Sequence, residues 1–149
     1  METKIKILDK EFILKGKLVD EGVKFKFADE DDWTLHNKFL IRVIRIDENG
    51  DKLERRFYYY GSHADWEAGK TELTEKELLW AFRCFLEDAL AGSYDFKEFC
   101  REFGYSEDSI KALRIYRECE KQLKKAYDLG IFESELVDML NELSNMGIE

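Results

Sequence analysis

His36 and His63 are the only two histidines in the 149-residue chain, and Asp65 follows the second closely. Two imidazoles and a carboxylate are donors that a transition metal accepts. Neither histidine has a zinc-site spacing, so no metal centre is expected. Asp29 to Asp32 is a run of four carboxylates. It lacks the glycine and closing glutamate of a calcium loop, so it reads as a solvated loop. Ala64 through Thr71 fits a relaxed phosphate-loop pattern, A-x-x-x-x-G-K-T. A phosphate cradle needs glycine-rich backbone and a helix that starts at the lysine. Asp65, Trp66 and Glu67 fill this loop instead, and their carboxylates would repel phosphate. Ser62, Ser93, Ser106, Ser109, Ser134 and Ser144 sit at loop corners or helix caps, with no nucleophile elbow around any of them. Paired carboxylates carry no information in so acidic a chain. The residues therefore point to no catalytic site, no cofactor site and no metal site, and a hydrolase has nothing to recommend it.

Arg55, Arg56, Tyr58, Tyr59 and Tyr60 form a basic and aromatic run on a strand. Arginines beside stacking rings are how single-stranded nucleic acid is held. Side chains alternate along a strand, so Phe57 and Tyr59 face one way and Arg56, Tyr58 and Tyr60 the other. One set is expected in the core.

The charge layout is uneven. Residues 1–60 carry 13 Lys+Arg and 13 Asp+Glu, whereas residues 61–149 carry 11 and 20, so the whole net charge of −9 falls in the second part. Such a field repels nucleic acid and attracts basic surfaces. Direct nucleic-acid binding is not expected on that ground. Cys84, Cys100 and Cys119 have no paired spacing and sit among apolar neighbours in predicted helices. They read as buried, reduced thiols of a cytoplasmic protein. No apolar run approaches the roughly 20 residues of a membrane helix. Met1 to Leu8 alternates lysine with isoleucine, unlike a secretory leader.

The elements follow from periodicity. Lys4 to Leu8 alternates as a half-buried strand. Phe12 to Val19 and Val23 to Phe27 read as two more strands, with a turn at Gly22. Phe39 to Ile46 and Leu53 to Tyr60 flank Asn49-Gly50, a tight hairpin signal. A loop spans Gly61 to Leu73. Thr74 with Glu77 forms a capping box for a helix running to Ala91, with Gly92 as its stop. Its inward side chains are Leu78, Leu79, Phe82, Phe85, Leu86 and Leu90. Asp95 caps a short helix, in which Phe96, Phe99, Cys100 and Phe103 form one apolar face and Gly104 is the stop. Ser106 is expected to cap the next helix, from about Glu107 to Leu129, with Ala112, Tyr116, Cys119, Leu123 and Tyr127 on one stripe. Gly130 ends it. Glu133 to Asn145 closes the chain as a helix with Leu136, Leu140 and Leu143 inward. The fold class is α+β in a single domain, residues 1–149. An N-terminal antiparallel sheet (residues 1–60) precedes a C-terminal bundle of about four helices (residues 74–149).

Within this frame, Asp95 to Tyr116 resembles a motif of small proteins encoded by bacteriophages and prophages. The motif has the form D-F-x-x-F-C-x-E-F-G-Y-x-x-D-S-x-x-A-x-x-x-Y. It stands here as Asp95, Phe96, Phe99, Cys100, Glu102, Phe103, Gly104, Tyr105, Asp108, Ser109, Ala112 and Tyr116. The segment from Phe57 to Thr71 and the helix around Leu78-Leu79 also look like that family, so the likeness covers roughly residues 57–125. It implies a phage origin and no catalytic residue. Many such accessory proteins counter host defence, CRISPR effectors included. The expectation is thus a non-enzymatic inhibitor in the infected cell's cytoplasm. Its acidic helical part, through Glu98, Glu102, Glu107 and Asp108, would occupy the basic surface of a host protein such as a nuclease. The competing expectation is a nucleic-acid-binding replication accessory that uses the hairpin.

Overall fold

A computed structural model describes residues 2–26, 32–62 and 72–149. The first compact unit, Met1–Phe82, is built on an antiparallel meander. Its strands are β1 (Glu2–Ile7), β2 (Lys10–Phe25), β3 (Thr34–Ile46) and β4 (Lys52–Ser62), paired in sequence order. Alternation decides which face is apolar: Thr3, Ile5 and Ile7 are buried on β1, while Glu2, Lys4 and Lys6 are exposed. Phe12 and Leu14 on β2 and Phe39, Ile41 and Val43 on β3 continue that apolar face. The helix α1 (Glu75–Ser93) lays Leu78, Ala81 and Phe82 on it. The rings of Phe12 and Phe82 lie 5.4 Å apart between centroids. Phe39, Ile41, Leu73, Leu78 and Ala81 form one cluster lined by Leu18, Phe57 and Tyr59. Thr74 and Glu77 form the expected capping box, with backbone N–H to side-chain oxygen distances of 2.9 and 3.1 Å.

One β expectation needs correction. β2 is one strand, not two with a turn. The register slips between Leu18 and Asp20 and again between Asp20 and Val23, so residues bulge and the strand goes on. The buried Asn37 side chain accepts the Gly22 N–H at 3.0 Å, which satisfies a donor that the bulge removes from the ladder. The hairpin read at Asn49-Gly50 forms and joins β3 to β4. Only Gly50 has positive φ (83°), and its N–H donates to the Asp47 carbonyl at 3.0 Å. Asp47 also accepts the N–H groups of Asn49 and Asp51 on its carboxylate. The Asp47 N–H also donates to the Asp51 carbonyl at 2.9 Å, so Glu48, Asn49 and Gly50 make a three-residue loop that ends on a left-handed glycine. Phe27, the acidic positions 29–31, His63, Asp65 and the 64–71 pattern lie outside the described residues.

The second compact unit, Arg83–Glu149, is helical. It holds the rest of α1, then α2 (Phe96–Phe103), α3 (Ile110–Asp128), a 3-10 turn (Glu133–Glu135) and α4 (Leu136–Asn145). Gly92 does not stop α1, which runs on to Ser93. A Cβ at Gly92 would lie 2.4 Å from the carbonyl oxygen of Cys119, so the glycine is needed where α1 and α3 backbones meet. Arg83 ties the far end of the unit. Its guanidinium donates to Ser144 Oγ at 3.0 Å and to the Ile148 carbonyl at 3.1 Å, and pairs with Glu87 at 2.8 Å. Leu136, Met139 and Leu143 are the buried stripe of α4. On α3, Ala126 takes the buried position that the periodicity assigned to Tyr127, whose ring is exposed. The α+β class and the order of sheet before helices are as read from the sequence. Among the described residues no helix is long and apolar enough to cross a membrane.

A candidate interaction corner

α2 and the turn after it carry all four carboxylates named from the sequence. Asp95 has extended backbone and accepts the Glu98 N–H on its side chain at 2.8 Å, which starts α2. Gly104 closes the helix at φ 75°, and the Gly104 and Tyr105 N–H groups both donate to the Cys100 carbonyl. Ser106 is not the cap of the next helix. Its hydroxyl accepts the Asp108 N–H within the turn, and Ser109 caps α3 by accepting the Ala112 N–H at 3.1 Å. Two serines three residues apart offer the same signal. α3 therefore begins at Ile110, and Glu107 and Asp108 lie in the turn before it rather than in its first turn.

The corner's interior is aromatic. Phe99 and Cys100 are buried, and the Phe99 ring lies 5.2 Å from Tyr116 and 6.0 Å from Tyr105 between centroids. Phe96 is part-buried and packs on Tyr116 at 5.4 Å. The Tyr116 hydroxyl donates to the Tyr94 carbonyl, and burial pushes its pKa up. Burial also pushes the Cys119 thiol up to about 12, so it is no nucleophile at neutral pH. Phe103 is the exception. The sequence places it beneath the corner, but it is 50% exposed, with only one side of the ring leaning on Phe99 at 4.9 Å. A helix of eight residues has room for only part of a four-residue apolar face to be covered. Ile110 stands out too, at 69% exposed.

Glu98, Glu102, Glu107 and Asp108 are all exposed. Glu98 and Glu102 are one helical turn apart on the same face of α2. Glu98 is not an independent charge, however. Its hydrogen bond with Asp95 raises its pKa, and the Glu98 N–H holds Asp95 below the usual carboxylate range. Glu102 has no such tie to the cap and is the cleaner probe. The negative charge is also more local than the sequence total suggests. α3 carries Lys111, Arg114, Arg117, Lys121, Lys124 and Lys125 against Glu118, Glu120 and Asp128. The helical unit thus presents its acidity at the α2 corner and after α3, not throughout.

Among the described residues no group of three or more histidine, cysteine or carboxylate side chains is placed to hold a metal ion. His36 is buried on β3 and contacts Thr34 Oγ1 at 2.6 Å, while its supposed companions His63 and Asp65 lie outside the described residues. Comparison with protein-family models, with curated proteins and with solved structures finds no match.

Proposed function

We propose that the chain is a phage-encoded, non-enzymatic inhibitor of a host defence system, which docks its α2 corner on a basic protein surface. The observation that carries this reading is the exposure of Phe103 among carboxylates. A half-exposed aromatic ring next to Glu102, with Glu107 and Asp108 in the following turn, has the make-up of an interface anchor with a charged rim. The carboxylates suit a surface rich in lysine and arginine, such as the nucleic-acid-binding face of an effector nuclease. The resemblance of Asp95 to Tyr116 to small phage proteins supplies the biological setting. The test is a plaque assay in cells whose CRISPR effector targets the challenging phage. Expression of the chain should restore plaques, and the Phe103→Ala/Glu102→Lys variant should not. No restoration against any effector class would refute the reading as an inhibitor of that system.

A further inference from the structure

The sheet face turned away from the core has the opposite character to the α2 corner. The register aligns Lys15 with Arg42 and Arg56, Lys17 with Leu40 and Tyr58, and Lys38 with Asp20 on one side and Tyr60 on the other. Residues directly opposite on antiparallel strands share a face, so these side chains form three adjacent rows. Three cations, Arg42, Lys52 and Arg56, surround the single carboxylate of Glu54 at 2.6, 3.5 and 3.1 Å. One carboxylate thus serves three cations, and the Arg42 hydrogen bond holds Glu54 down at about 2. Lys15 pairs with Glu2 at 3.4 Å, and Lys17 is exposed. Beside the cations, Tyr58 is 54% exposed, with the Lys38 ammonium 4.1 Å from its ring centre. Tyr60 stacks on Phe25 at 3.7 Å and extends the aromatic row along the strand.

We infer that this outer sheet face binds single-stranded nucleic acid, with Tyr58 as a stacking platform for a base and Lys17, Lys38 and Arg56 on the phosphates. The site is separate from the α2 corner. An acidic protein surface would need only the cations. The exposed ring placed between them is what favours a strand with unpaired bases, since every base offers a stacking face. The chain's net charge of −9 argues against nucleic acid only if it is spread evenly, and in these rows Lys15, Lys17, Lys38, Arg42 and Arg56 outnumber Glu2 and Asp20.

The experiment uses the full chain and a fluorescein-labelled oligothymidine of about 12 nucleotides, titrated at several salt concentrations. Three phosphate contacts predict a slope of log K against log salt of about −2. Tyr58→Ala should weaken binding roughly tenfold, whereas Tyr58→Phe should bind like the parent. Lys17→Glu with Lys38→Glu should flatten the salt slope, and Glu98→Lys with Glu102→Lys should not weaken binding. These side chains are outside the core, and cooperative melting curves verify that the variants are folded. Absence of binding at low salt would overturn the inference. So would a Tyr58→Ala variant that binds unchanged, or polyglutamate competing as well as the oligonucleotide, since either result describes a plain cationic surface.

Discussion

The α2 corner and the outer face of the sheet both expose aromatic rings among charges, and the charges have opposite sign. At the corner, Phe103 stands with Glu102 and precedes a turn holding Glu107 and Asp108. On the sheet, Tyr58 stands between Lys38 and a row in which Arg42, Lys52 and Arg56 gather around Glu54. The net charge describes neither patch. What separates them is local construction. The corner is a short helix held by caps, with its inner ring, Phe99, buried against Tyr116 and Tyr105. The sheet face is the outward half of a long alternation whose inward half makes a core.

The comparison is broken most easily inside the corner, where inner and outer rings should differ. Phe99→Ala should cost about 3–5 kcal/mol, because the ring is fully enclosed. Phe103→Ala should cost under about 1 kcal/mol, since half of its surface is already in water. Thermal melts of the two variants check this. Equal losses would return Phe103 to the core and remove the anchor from the corner.

Gly92→Ala tests the support behind the corner. The added methyl would meet the backbone carbonyl of Cys119 rather than a yielding side chain. A loss of about 2–3 kcal/mol by denaturant unfolding is expected. On the sheet side, Asn37→Ala should cost about 1–3 kcal/mol by orphaning the Gly22 N–H at the bulge, again read by unfolding. A neutral Asn37→Ala would mean that β2 bulges without help.

The sheet's charge cluster predicts a pH dependence. Glu54 is held at about 2 by Arg42 first, then Arg56 and Lys52, against an unfolded value near 4.5. A depressed carboxylate stabilises above its unfolded pKa, and that stabilisation is lost as pH falls from about 4.5 towards 2. Solvent reaches this cluster, so the effect should be on the order of 1 kcal/mol. Glu54→Gln should abolish that part of the acid sensitivity, as seen in melts between pH 5 and pH 2.5.

Much of the fold was legible because local signals agreed with each other. The Thr74–Glu77 capping box, the Asp95 cap, the Gly104 stop and the alternation of β1 each fix one element without outside help. Where one signal serves two purposes, the reading failed. Gly92 marks a helix stop and a close helix crossing equally well, and only the approach of Cys119 distinguishes them. Ser106 and Ser109 are both competent caps. The outward direction of Arg56, Tyr58 and Tyr60 was one of two options, because both faces of β4 carry aromatics. Its register with Lys38, Leu40 and Arg42 resolves it. The four carboxylates of the corner are exposed, but the coupling of Glu98 to Asp95 and the exposure of Phe103 depend on packing that spacing does not encode.

Association kinetics would show whether the α2 corner meets a basic partner. Host protein captured by the immobilised chain and identified by mass spectrometry would be titrated at two ionic strengths, against the parent and against Glu98→Lys/Glu102→Lys. Both positions are exposed, so the variant should stay folded, with a slightly lower melting temperature because Glu98 hydrogen-bonds the cap residue Asp95. The association rate should fall with added salt and fall again in the variant, while the dissociation rate changes less. An association rate untouched by both salt and the double reversal would contradict the proposal and leave the acidic corner as a solvated surface.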